Sequence, residues 1–363
     1  MKSGTDFRLC WRGAQAKAYA TVRTTSMNED QRDPEPEVIH TPPEFIVAEE
    51  ELHTPAGEEI VAGTSLWKDA WRRLLKNRLA VFGMIVVILV ALASLIGPEI
   101  IKRVNGFGPD YIPSDSQLIK SFAPFKAPDG SFSWTHPMGT DNQGRDIMAR
   151  VLQGGQISLM VGIIATIVSL LIGVAYGAVA GYLGGRVDNL MMRFVDILYS
   201  LPYIILVIVL LAMFRSSTAI GQLVLLFIAL GSVSWLTMAR IVRGQVLSLK
   251  NQEFVLAARA TGVSTTRIIF RHIVPNTLGP VIVYATLTIP TVMLSEAFLS
   301  YLGFGVQPPL ASWGSLSAAG IENIAIFPWQ LIFPGLTMAL TLFSLNFLGD
   351  GLRDALDPQM RKV

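Results

Sequence analysis

The sequence predicts an all-α, polytopic membrane protein with six transmembrane helices. Two observations carry that prediction. Only 15% of the 363 residues are charged and 51% are hydrophobic, with mean hydropathy +0.48, whereas a soluble domain averages about 25% charged. The deficit is also concentrated in six uncharged runs, each near the roughly 20 residues that a helix needs to cross hydrocarbon. The runs are Leu79–Gly97, Ile157–Gly185, Ile197–Phe214, Ser216–Ala239, Ile273–Ser295 and Asn323–Gly349.

Residues 1–66 precede these runs and read as a disordered cytoplasmic tail in two parts. Five bases (Lys2, Arg8, Arg12, Lys17, Arg23) and one acid, Asp6, occupy 1–26. From Met27 to Leu66 there are eleven acids and one base, Arg32, amid many prolines. That second composition buries too little apolar surface to fold. The shift at Met27 points to Met27 as the true start, with 1–26 an upstream extension. An Arg-rich, acid-poor transit peptide is the competing reading.

Residues 67–78 form a basic amphipathic segment with Lys68, Arg72, Arg73, Lys76 and Arg78. Trp67, Trp71 and Leu74 share one helical face, as in a helix lying at a membrane interface. The first span then covers 79–98, an external loop covers 99–156, and five spans make a core over 157–350. A cytoplasmic tail follows at 351–363. An uncharged stretch, Ala297–Ile321, carries Gly303, Gly305, Pro308 and Pro309. It would strand backbone polar groups in lipid, so it is expected as an external loop or a short helix on the outer face.

Charge orients the chain. With both termini in the cytoplasm, and leaving aside the 1–66 tail, sixteen Lys and Arg fall inside and seven outside, in keeping with the positive-inside rule. The net charge of +2 gives no reason to expect nucleic acid. Cys10 is the single cysteine, and the four histidines are scattered, so no metal-ligand spacing arises. No Gly-Lys dipeptide occurs, which removes a phosphate-cradling loop. No catalytic residue is expected, and no cofactor bound by this chain.

Several segments carry candidate function. Between the fourth and fifth spans, Glu253–Thr261 favours helix, Gly262 permits φ > 0, and Ser264 is placed to cap a second helix. Pro275 and Asn276 mark the return to the membrane. A helix–Gly–helix elbow presenting the small residues Ala257 and Ala258 outward is a docking knob. Ala165, Ser169, Gly173, Gly177, Gly181 and Gly185 recur every four residues, a small-residue face that lets helices approach closely. It serves internal packing or a sliding surface. Pro280 and Pro290 would loosen the fifth span, which suits a pore-lining helix. Asp196 and Glu296 are rare charges near span ends. With Pro290 they are the candidates for a translocation path.

The 253–275 segment resembles the Glu-Ala-Ala loop of binding-protein-dependent ABC importer permeases. Ala257, Ala258, Gly262 and Pro275 match that motif. Leu256 stands where it has Glu, His272 where it has Ile and Val274 where it has Leu. Glu253, one turn earlier, is the candidate substitute for the missing Glu, and Arg267 lies in the same loop. His136-Pro-Met-Gly139-Thr140-Asp141-Asn-Gln-Gly144-Arg145-Asp146, with Arg150 and Gly154, is similar to the external-loop signature of dipeptide and oligopeptide permeases, second-subunit type. Arg193–Pro202 and Ser295–Gly305 look like the same branch. The resemblance covers roughly residues 67–363.

It implies a MetI-like permease fold in the cell inner membrane and a heterodimer with a homologous permease subunit. It also implies two cytoplasmic ATPases that hold ATP and Mg, an extracytoplasmic solute-binding protein and a peptide substrate. Nickel permeases share the pattern, so nickel or another small solute is the runner-up. A different class, the ion-coupled secondary transporter, would show inverted repeats and midplane charges, and a membrane scaffold would need no docking elbow.

Overall fold

The computed structural model describes residues 66–115, 120–127 and 129–356. The acidic and basic tail segments and the Met27 boundary lie outside the described residues. Eleven α-helices make up the described chain: α1 (Leu66–Lys76), α2 (Arg78–Asn105), α3 (Ile147–Leu183), α4 (Gly185–Ser200), α5 (Tyr203–Met213), α6 (Ala219–Leu249), α7 (Glu253–Ala260), α8 (Thr265–Arg267), α9 (Val274–Tyr301), α10 (Trp313–Glu322) and α11 (Trp329–Leu356). Among the described residues the only β pairing is two isolated bridges, Lys126 with Phe132 and Thr140 with Asp146.

Among the described residues, five segments are long and apolar enough to cross a membrane: α2, α3, α6, the continuous run Thr265–Tyr301, and α11. The third uncharged run is different. It is shared between the last turn of α4 and the 11 residues of α5, which meet at 85°. Pro202 explains the break. It disfavours helix at the residue before it, and Leu201 is extended with φ −82° and ψ 136°. At 1.5 Å per residue α5 spans only about 16 Å, about half the hydrocarbon thickness.

The centre of the bundle is the α3–α6 pair. Gly173, Gly177 and Gly181 of α3 face α6 so closely that a Cβ on Gly173 would meet the Met238 Cβ at 2.6 Å and the Trp235 carbonyl at 2.9 Å. One on Gly177 would strike the Ala239 carbonyl, and one on Gly181 would lie 2.9 Å from the Arg243 carbonyl. The small-residue face therefore packs inside this subunit. Gly185 does not belong to it: α3 has ended at Leu183, Gly185 has φ +56°, and nothing approaches its Cβ position.

At the start of the bundle, Asn77 separates α1 from α2 by accepting from the Leu79 and Ala80 amides at 3.1 and 3.3 Å. Ala70 and Leu74 of α1 pack onto Ala355, Leu348 and Leu352 of α11. Trp71 instead stays exposed, so Leu74 and Trp71 do not serve one common surface. The α2 residues Phe82, Ile85, Leu89, Leu92 and Leu95 are each about half exposed or more, an apolar outer belt suited to lipid.

The Ala297–Ile321 stretch contributes a short helix, α10, held more deeply than an outer-face helix at rest. Trp313 is fully buried; its indole N–H donates to the Val151 carbonyl at 2.8 Å and its amide to Ser158 Oγ at 3.0 Å.

Candidate functional site

Two features on α4–α9 stand out, an exposed elbow and a cavity, and rigid contacts join them. In the elbow, α7 ends in a left-handed turn. The Val263 amide donates back to the Ala258 carbonyl at 3.1 Å and Gly262 has φ +76°. Ser264 has the extended backbone of an N-cap, yet its side chain makes no capping bond. Glu253, Leu256, Ala257 and Ala260 follow helical spacing and are all exposed, and Arg267 is exposed beyond the turn. Ala258 is not part of that surface. It is 8% exposed and packs with Val255, Met238, Val242 and Ile268. The presented face is thus Leu256, Ala257 and Ala260 flanked by Glu253, with Ala258 on the inner side, because positions 257 and 258 differ by about 100° around the helix.

Pro275 lies in the first turn of α9 and does not interrupt the helical run. The chain is helical from Thr265 to Tyr301, passing through a wide π-turn at Ile268–Ile273. A proline ring clashes with the carbonyl four residues back, here Arg271. The π-turn makes room for it, and Asn276 Nδ2 donates to the His272 carbonyl at 2.6 Å.

Three contacts tie the elbow and its approach to the bundle. Arg243 donates from two nitrogens to both carboxylate oxygens of Asp188, at 2.5 and 2.6 Å. Arg259 Nε donates to the Tyr182 hydroxyl at 3.0 Å, and Lys250 Nζ to the Gly181 carbonyl at 3.2 Å. The paired, two-point geometry of Arg243 restricts rotation as well as distance.

The cavity, about 610 Å³, lies between the α4–α5 corner, α6 and α9. Tyr284, Thr288, Thr291 and Ser295 line it from α9, Ser234 and Thr237 from α6, and Tyr199, Ser200 and Tyr203 from the corner. None of these is among the path candidates read from sequence, although Tyr199, Ser200 and Ser295 lie in the family-like segments Arg193–Pro202 and Ser295–Gly305. The signal was there: hydroxyls at 284, 288, 291 and 295 follow the i, i+4, i+7, i+11 spacing of one helix face.

The expected path residues are placed differently from one another. Asp196 is exposed, does not line the cavity, and pairs with Arg240 at 2.7 Å. Arg240 in turn sits 4.1 Å over the Tyr199 ring. Pro290 is buried within α9 and does not line the cavity. Glu296 is 1% exposed and also absent from the cavity wall. Its Oε1 accepts from Ser300 and from Ser312 Oγ, both at 2.7 Å. Ser312 is the N-cap of α10 and accepts from the Ser315 amide, so the carboxylate anchors α10 to the end of α9.

The 136–146 motif forms a knot at the start of α3. Asp146 caps α3 by accepting from the Ala149 amide at 2.7 Å and also contacts His136 Nδ1 at 2.9 Å. Asp141 accepts from the Gln143 and Arg145 amides and from Arg145 Nε at 2.8, 3.0 and 2.7 Å. Thr140 is buried and bonds the Lys120 carbonyl and Phe122 amide. Gly139 and Gly144 have φ +78° and +76°, which only glycine adopts without strain.

Residues 173–362 match the model of the binding-protein-dependent transport system inner membrane component, and residues 65–117 that of the N-terminal transmembrane domain of oligopeptide transport permease C. The chain belongs to this permease family. The matched region holds the elbow, the cavity and the α3–α6 interface. Relatives agree over nearly their whole length. The oligopeptide transport system permease protein OppC of Escherichia coli K12 is 48% identical, over 83% of this chain and 94% of the relative. OppC of Bacillus subtilis 168 is 44% identical over 82% and 91%. The dipeptide transport system permease protein DppC of the same Bacillus is 40% identical over 92% and 98%. The all-α ABC permease fold and the multi-pass membrane character follow from this membership together with the apolar spans.

Proposed function

We propose that this chain is the transmembrane permease subunit of an ATP-binding cassette importer of oligopeptides or dipeptides, and not itself an enzyme. With a homologous permease subunit it would form the translocation path. ATP and Mg would be held by two cytoplasmic ATPases, and an extracytoplasmic binding protein would deliver peptide. Both termini would face the cytoplasm. The relatives' oligopeptide and dipeptide names favour peptide over nickel. The observation that carries the mechanism is the unbroken helical run from the elbow turn to the cavity wall, Thr265–Tyr301.

The mechanism follows from that geometry. An ATPase groove would grip Glu253, Leu256, Ala257 and Ala260. Closure of the ATPases would push α7, and the Arg243–Asp188 and Arg259–Tyr182 contacts would carry the push to α3, α4 and α6. The run Thr265–Tyr301, about 55 Å long at 1.5 Å per residue, would tilt as a lever. Its far end would move Thr288, Thr291 and Ser295 and, through Glu296 and Ser312, α10. Two packed arrangements, biased by nucleotide, would give inward- and outward-open states.

The test is affinity purification of the tagged chain from mild detergent, with mass spectrometry of what accompanies it, then peptide uptake by the recovered assembly in proteoliposomes. A second permease, ATPases and ATP-dependent peptide uptake are expected. A lone chain driving uptake from an ion gradient would overturn the proposal.

A further inference from the structure

The cavity wall has an unusual chemistry for a space of this size. Its polar side chains are all hydroxyls, and no charged or amide side chain lines it. Several of those hydroxyls have already committed their proton to their own helix. Thr288 Oγ1 donates to the Tyr284 carbonyl at 2.8 Å and Thr291 Oγ1 to Leu287 at 3.1 Å. Ser295 Oγ donates to Thr291 at 2.9 Å and Ser234 Oγ to Leu230 at 2.7 Å. A hydroxyl carries one donor and two acceptor lone pairs, so back-bonding leaves these oxygens as acceptors; Ser234 and Ser295 also meet the Tyr203 hydroxyl, which makes Thr288 and Thr291 the acceptors best placed for substrate. Arg240, which lies over the ring of the wall residue Tyr199, is paired with Asp196 at 2.7 Å.

We infer that this wall is blind to side-chain charge: it meets the passing peptide through neutral oxygens that accept from backbone N–H groups. The inference rests on the permease reading and adds to it which chemical group of the substrate this subunit recognises. Every residue of a peptide except proline offers the same N–H donor, so acceptor oxygens hold the chain whatever its sequence. A fixed charge in the wall would bind oppositely charged side chains too long and exclude like-charged ones. The rest of the wall is apolar, with Leu201, Val233, Leu236, Leu287 and Val292 among its residues, which leaves no counter-charge to trap an acidic or basic residue.

The experiment uses the whole transporter in proteoliposomes, at saturating tripeptide delivered by its binding protein, with Ala-Lys-Ala and Ala-Glu-Ala compared. Thr291 is exposed in the wall, so substitutions there have room. The wild type is expected to move the two at maximal rates within about threefold. Thr291→Asp and Thr291→Lys should move the Lys-to-Glu rate ratio away from the wild-type value in opposite directions, each by about tenfold, the equivalent of roughly 1.4 kcal/mol. A wild-type ratio already beyond tenfold, or working charged variants with an unchanged ratio, overturns the inference. Should both charged variants fail to assemble, Thr291→Val decides. It removes the acceptor without charge and should lower both rates about threefold equally; wild-type rates in Thr291→Val would overturn the inference. Failure of the wild type to move any peptide would instead sink the permease reading.

Discussion

Gly262 is where the coupling mechanism is most exposed to a single substitution. Its φ of +76° is left-handed, and no atom lies within 4 Å of the position a Cβ would take. A side chain there would therefore clash with nothing, and its whole cost would be backbone strain. For an L-residue the left-handed region costs roughly 1–2 kcal/mol, and a β-branched residue lies at the upper end. About 2 kcal/mol against the observed turn would reduce its population about 30-fold relative to alternatives. The elbow is exposed, so Gly262→Val should spare insertion and expression while letting α7 pivot without moving Thr265–Tyr301. Asparagine tolerates the left-handed region far better, and Gly262→Asn should retain most function. The assay is ATP hydrolysis and peptide uptake measured together in proteoliposomes. Gly262→Val should hydrolyse ATP with uptake reduced at least about fivefold, the floor set by about 1 kcal/mol of strain. Normal coupling in Gly262→Val would refute the lever, and equal loss in Gly262→Asn would show that backbone conformation is not the cause.

Other contacts make separate predictions. Gly177→Leu would drive a side chain into the Ala239 backbone, and overpacking there should cost about 1–3 kcal/mol or more, seen as a lower thermal midpoint in detergent. Arg243→Ala would leave the largely buried Asp188 carboxylate unpaired; accumulation should fall, and Arg243→Ala with Asp188→Asn together should recover part of it, a gain that an additive double variant would contradict. Glu296→Ala removes the acceptor of Ser300 and Ser312, so protease cutting near Ser312 should speed up, whereas Glu296→Gln keeps an acceptor and should cut more slowly than Glu296→Ala. Asp196→Ala breaks an exposed pair worth about 0–1 kcal/mol; its thermal midpoint should match wild type, and a large drop would mean the pair is buried in the assembly.

Much of the fold was readable because each span is a local property. Transfer of some twenty apolar residues into hydrocarbon is favourable whatever their neighbours, so charge depletion locates spans without knowledge of packing. Gly262 was readable for the same reason, since its turn needs a residue free at positive φ. The functional surfaces were read less well. Ala257 and Ala258 look equivalent in sequence, but the burial of Val255 against Ile268 rotates one outward and the other in. Glu296 looks like a path charge; the hydrogen bond it accepts from Ser312 depends on α10 folding back sixteen residues later. The hydroxyl face of α9 was spaced for recognition, yet threonines at helical spacing in a span equally fit a helix–helix contact.

The sequence by itself determined the class: which segments lie in the membrane, where the elbow turns and which family the chain joins. Those follow from the composition of contiguous residues and from motif spacing. Only the tertiary structure decided that the third uncharged run bends by 85°, that the glycine face is spent on α6, and that a cavity opens beside Thr291 while Glu296 is sealed away. The reason is that helix orientation is set by small differences in packing between segments far apart in the chain. No local pattern holds that information.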